Sequence, residues 1–143
     1  MIERIMDGGR LLAILVPKRV RDPGVHFLTS PEAAMQLAVI AHPKAKIIQP
    51  HMHRPYPREV SETQEVLVIT KGKIRVDFYD DAKAYLKSRV LEAGDTILLI
   101  TGAHGFEVLE DVEMIEAKTG PYLPAEDKTR FQPVSADRVK IDS

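Results

Sequence analysis

At 143 residues, with 44% hydrophobic residues and no cysteine, the chain is long enough to bury a core, and it excludes disulfides, thiolate ligands and thiol nucleophiles. Twenty Lys and Arg against 21 Asp and Glu leave a net charge of −1, which gives no electrostatic case for nucleic acid or an anionic membrane. The apolar run at 11–16 is too short for a spanning helix, and Glu3 and Asp7 stand where a signal peptide carries cations. The expectation is one cytoplasmic domain over 1–143, in which any metal is held by nitrogen and oxygen.

The run LLAILV at 11–16 reads as a strand that Pro17 ends. Pro23-Gly24 is a turn signal before a short strand, VHFLT, and 31–34 is a helical turn or a loop. MQLAVIA at 35–41 reads as a strand. KAKIIQPHMH reads as extended, with Pro50 marking an edge or a bulge. Residues 54–64, with Pro55, Pro57 and several charges, read as a loop. EVLVIT and KIRVDFY flank Lys71-Gly72 as a hairpin, and Asp80-Asp81-Ala82-Lys83 is a turn before AYLKSRVLE. A turn at 92–95 precedes TILLI. HGFEVL and VEMIEAKT then flank a turn at Glu110-Asp111. Strands at such regular intervals predict an all-β barrel or sandwich. Beyond Gly120-Pro121 the chain is polar and is expected to pack loosely over the outside or to end in a short strand.

The chemistry-bearing residues fall on these strands. Side chains at i and i+2 of a strand share a face. His51 and His53 therefore point one way, with Ile47 and Gln49. Glu65, Leu67, Ile69 and Lys71 share a face, and so do His104, Phe106 and Val108. If these faces turn into one barrel, three imidazoles and a carboxylate converge at its mouth, a donor set that suits a first-row divalent metal. Glu59 and Glu62 in the loop are rival acids to Glu65. Glu116 and Lys118 share a face with Met114. They line a pocket if that face is inward and are ordinary surface if it is outward. His26 and His42 have no partner spacing and read as structural or exposed.

The pattern resembles the cupin superfamily. His51-Met52-His53 supplies an HxH, and Glu65 is followed by six residues and then Gly72. Gly94 and Gly102 fit the second cupin motif, and His104 stands for its histidine. The sequence departs from the family at Ala45 and Ile100, where the motifs have Gly and Pro, and at Val108, where the second has Asn. His104 also comes one residue early, and eleven residues separate His53 from Glu65, a longer spacer than the motif's. The resemblance covers about 35–118. It favours Glu65 over Glu59 and Glu62 as the acid.

The resemblance implies a double-stranded β-helix, the jelly-roll barrel, with one divalent ion (Fe, Mn, Ni or Zn) on His51, His53, Glu65 and His104. It also implies a homodimer. The function expected is that of a metal-dependent enzyme with oxygenase, isomerase or hydrolase chemistry. The alternatives are a non-catalytic module for a sugar-like ligand and a metal-free sugar-nucleotide isomerase or epimerase with a histidine as base. Arg54, Tyr56, Arg58 and Phe106 are the candidate contacts to a small, anionic ligand. Their plain readings are solvated loop residues and, for Phe106, barrel filling.

Overall fold

A computed structural model describes residues 1–141, and apart from a 3-10 turn at Ala136–Arg138 every regular element in them is a β-strand. β1 (Glu3–Asp7) and β2 (Arg10–Val16) form a hairpin, and β3 (Gly24–Phe27) and β4 (Ala38–Ala41) form a separate ribbon. β5 (Glu65–Tyr79), β6 (Tyr85–Glu92), β7 (Thr96–Leu99) and β8 (Ala103–Lys118) complete the main sheet. Its order is β1-β2-β7-β5-β6, with β8 on the other side of β5, and every pairing is antiparallel. The chain is all-β, and its curled sheet makes a half-barrel.

β5 organises the sheet. Its first half pairs with β7 from Glu65 to Val68, and its second half pairs with β6 from Lys73 to Tyr79. β8 runs along both halves. The expected hairpin at Lys71-Gly72 and the expected turn at Glu110-Asp111 are therefore corrected. They are the two sides of a bend in one long ladder, where the register shifts between Ile69 and Ile74. A bulge keeps two strands paired while adding twist and bending them. It also inverts the alternation. Leu67 and Ile69 face the core before the bend, and Ile74, Val76 and Phe78 face it afterwards. Gly72 sits in the bend at φ 80, where a Cβ would collide with the Asp111 carbonyl.

All five of those side chains belong to one buried cluster with Ile5, Leu12, Leu91, Ile97 and Leu99. The two halves of β5 thus face the same interior, which is what makes the sheet concave. Each fully buried Ile, Leu or Phe stabilises by roughly 1.5–3 kcal/mol relative to exposure. β2 is buried on both faces, as its unbroken apolar sequence predicts. Ala13 and Leu15 join the concave core, while Ile14 and Val16 meet Val39 of β4 on the other side.

From Phe131 onward the polar C-terminal stretch packs on the convex face, and it adds no strand among the described residues. Phe131 lies edge-on to Tyr79 at 5.0 Å, and the Val134 amide donates to the Tyr79 hydroxyl at 2.9 Å. Further along, the Ser88 amide donates to the Lys140 carbonyl at 2.7 Å. Beneath this strap, Asp77 is buried and satisfied by Arg75 and Ser88. Among the described residues no helix is long and apolar enough to cross a membrane.

Candidate metal and ligand site

Glu65 opens β5 and shares its face with Leu67 and Ile69, so its carboxylate points into the concavity. His104 lies near the start of β8 opposite Phe78, and directly opposed residues share a face, so its ring points inward too. Along the ladder the two are far apart, because Glu65 is opposite Lys118 at the other end. The curl closes that gap and brings His104 Nε2 within 3.2 Å of Glu65 Oε2. The Glu65 side chain is 10% exposed and that of His104 29%. The contact with His104 lowers the Glu65 pKa against the opposing effect of burial, and the Lys118 charge adds to the lowering. Glu65 is thereby kept ionised.

Counting parity through the bulge resolves the face of Met114, Glu116 and Lys118. They oppose Ile69, Leu67 and Glu65, so they point into the concavity. Lys118 Nζ lies 3.8 Å from Glu65 Oε1, 3.9 Å from Glu116 Oε2 and 3.8 Å from Asp127 Oδ2. It also sits 4.7 Å from the centre of the Tyr122 ring. The cluster ties the start of the C-terminal strap to the acid of the site. Sequence reasoning left Lys118 undecided and did not single out Asp127, which had no distinguishing signal in a polar stretch. Phe106 opposes Val76 on the inner face and meets the His104 ring edge-on at 5.5 Å, with 40% of its surface exposed.

His51 and His53 lie elsewhere. The expected extended strand at 47–53 is absent, and residues 42–64 contain no strand or helix. Four prolines, Pro43, Pro50, Pro55 and Pro57, remove backbone donors there. The two imidazoles still stand side by side, with ring centres 5.4 Å apart, and His51 Nδ1 meets the Gln49 carbonyl at 2.8 Å. Arg58 stacks over Tyr56 at 5.3 Å. Arg54, Glu59 and Glu62 are exposed in the same segment. Glu65 and His104 thus come together, and His51 and His53 form a second pair apart from them. Among the described residues no group of three or more His, Asp or Glu side chains is arranged to hold a metal ion.

A groove of about 810 Å³ runs past Glu65 and His104 and around the outer edge of β8. Thr63 and Phe106 line it near the acid–imidazole pair, and Tyr79 and Phe131 line it on the convex side.

Fold and site together define an all-β half-barrel with a carboxylate and an imidazole in contact on its concave face. No protein-family model, no curated protein and no solved structure matches the chain.

Proposed function

We propose that the chain is a small-molecule metalloprotein of cupin type, and that its metal site is catalytic. The observation that carries this reading is the meeting of Glu65 and His104 at 3.2 Å from opposite ends of the β5–β8 ladder, beside an open groove. The donor chemistry suits a divalent ion, with a carboxylate kept ionised and an imidazole nitrogen facing it. Glu65 and His104 would form one half of the ligand set. His51 and His53, already adjacent, would form the other half once their segment lies against the barrel. A bound ion would supply Lewis acidity, or dioxygen chemistry if it is iron.

The chain's own residues do the rest. Lys118 balances the Glu65 charge and fixes the carboxylate against the strap through Asp127. Phe106 supplies an apolar wall beside His104. Arg54 and Arg58 offer guanidinium forks for a carboxylate or phosphate on the ligand, with Tyr56 beside them.

Elemental analysis of protein purified without a metal-affinity tag should find about one divalent ion per chain. Glu65→Gln and His104→Ala should each remove most of it. Less than about 0.1 equivalent in the parent protein would end the metal reading. A second reading is favoured by the same contact. Glu65 and His104 are already a complete acid–imidazole pair, so His104 would act as a general base oriented by Glu65 in a metal-free isomerase or epimerase. Activity that survives EDTA and is lost in both variants would select it.

A further inference from the structure

The first half of the C-terminal strap is held by one side chain. Residues 119–135 contain turns but no strand or helix. Among the described residues, the hydrogen bonds and ion pairs made by 120–130 are internal, with one exception. Glu126 and Asp127 donate to the Leu123 carbonyl, and Lys128 Nζ meets Asp127 Oδ2 at 2.8 Å. The exception is the contact of Asp127 Oδ2 with Lys118 Nζ at 3.8 Å. The Tyr122 ring sits against the same two cations, 4.7 Å from Lys118 Nζ and 5.4 Å from Lys128 Nζ. A carboxylate on an irregular stretch of chain is thus inserted between two ammonium groups, where its side chain is only 14% exposed. Lys118 itself is short of acceptors. Glu65 Oε1, Asp127 Oδ2 and Glu116 Oε2 stand 3.8, 3.8 and 3.9 Å from its Nζ, all beyond hydrogen-bond reach. Among the described residues no unpaired side-chain nitrogen or oxygen is sealed from solvent, so solvent reaches this ammonium. Its three donors stand ready for a closer oxygen.

We propose that Lys118 and Lys128 form a carboxylate site in the wall of the groove, that Asp127 fills it while no ligand is bound, and that a small carboxylate ligand displaces Asp127 and frees the strap from 120 to 130. The site needs no metal ion, and it rests on the proposed function only for the groove as the place of the ligand. Asp127 and Lys128 line that groove together with Glu65 and His104. Glu65 and Asp127 share Lys118, so a carboxylate in the place of Asp127 stands one ammonium away from the acid–imidazole pair. The local field favours an anion there. Lys128, and Lys118 with it, lower the Asp127 pKa against the opposing effect of burial. The present occupant also sets the class of ligand. It is planar and carries a single negative charge, whereas a dianionic phosphate would be repelled by Glu65 and Glu116, which crowd the same ammonium. Displacement is within reach of a free ligand, because a carboxylate on a flexible tether competes at an effective concentration on the order of millimolar.

Acetate is the probe, used in the presence of EDTA. Asp127→Ala leaves the place between the two lysines open. Relative to sodium chloride of equal ionic strength, sodium acetate at about 0.5 M should raise the melting temperature of this variant by at least about 2 °C more than it raises that of the parent, whose site is filled. The double variant Asp127→Ala/Lys118→Met should lose that excess. In the parent, acetate should speed tryptic cleavage after Lys128 and Arg130 by about threefold or more over chloride, with a short peptide substrate as the reference for trypsin itself. This second measurement needs no variant, so it stands even if Asp127→Ala fails to fold. No excess stabilisation in Asp127→Ala, or an excess that survives the loss of Lys118, would overturn the site. Cleavage in the parent that acetate leaves unchanged would overturn the displacement, and the proposal with it. A protein that shows both effects but holds no metal would refute the metal reading alone.

Discussion

Both halves of the concave core depend on the bend at Gly72. Gly72→Ala tests it. At φ 80 an L residue is in the left-handed region, which costs about 1–2 kcal/mol. The new methyl would also run into the Asp111 carbonyl, with the Glu110 carbonyl oxygen at 3.1 Å. Those atoms are backbone on the partner strand and cannot rotate away, so relief requires the ladder to shift, at a further cost of about 1–3 kcal/mol. A total near 3 kcal/mol should lower the melting temperature of a chain this size by about 6–12 °C. Differential scanning calorimetry or urea unfolding reads it directly. Gly9→Ala is the matched control, with nothing within 4 Å of the added carbon, and should stay within about 0.5 kcal/mol of the parent. If Gly72→Ala melts with Gly9→Ala, the long bent ladder is the wrong description of 65–79.

Because the Glu65 pKa is lowered in the folded protein, its contribution is present above the unfolded carboxylate value of 4.5 and is lost as pH falls through the lowered value. Urea midpoints measured downward from pH 7 should therefore fall less steeply for Glu65→Gln than for the parent, and parallel curves would refute the contact with His104. Arg54→Ala and Arg58→Ala should leave metal content intact, while at least one weakens a ligand found by thermal-shift screening more than about tenfold, ~1.4 kcal/mol. Parent-like binding in both would reduce the segment to a solvated excursion. Light scattering at micromolar concentration should give the mass of a homodimer, and a monomer would refute that expectation.

Much of the fold was legible because strands announce themselves by alternation and turns by Gly, Pro and Asp. The strands ended by Pro17, begun after Pro23-Gly24 and separated by 80–83 and 92–95 are all present. The bend was not legible as a bend. A Lys-Gly pair between alternating runs is the signal of a hairpin, and a bulge uses the same positive-φ glycine. The two differ only in which strand lies alongside, and that information is not local. The same flip of parity hid the inward direction of Glu116 and Lys118. On the site, the shared faces of Glu65 with Leu67 and of His104 with Phe106 were legible, because each pair lies within one unbroken alternation. The position of His51 and His53 was not, because 42–64 forms no strand whose alternation could fix where their side chains point.

One consequence of the bent ladder concerns leverage. From Gly72 to Glu65 the arm is seven residues, roughly 23 Å at the usual strand rise, and the opposite arm carries His104 at its tip. A change of about 5° in curvature at the pivot would move one tip by ~2 Å relative to the other. The width of the mouth is therefore governed from its fulcrum and from whatever clamps the back of the arms. Phe131 and Val134 hold the convex side at Tyr79, one residue from the position opposite His104. Substitutions on that outer strap, which touch neither Glu65 nor His104, should tune the gap between them more finely than changes inside the pocket.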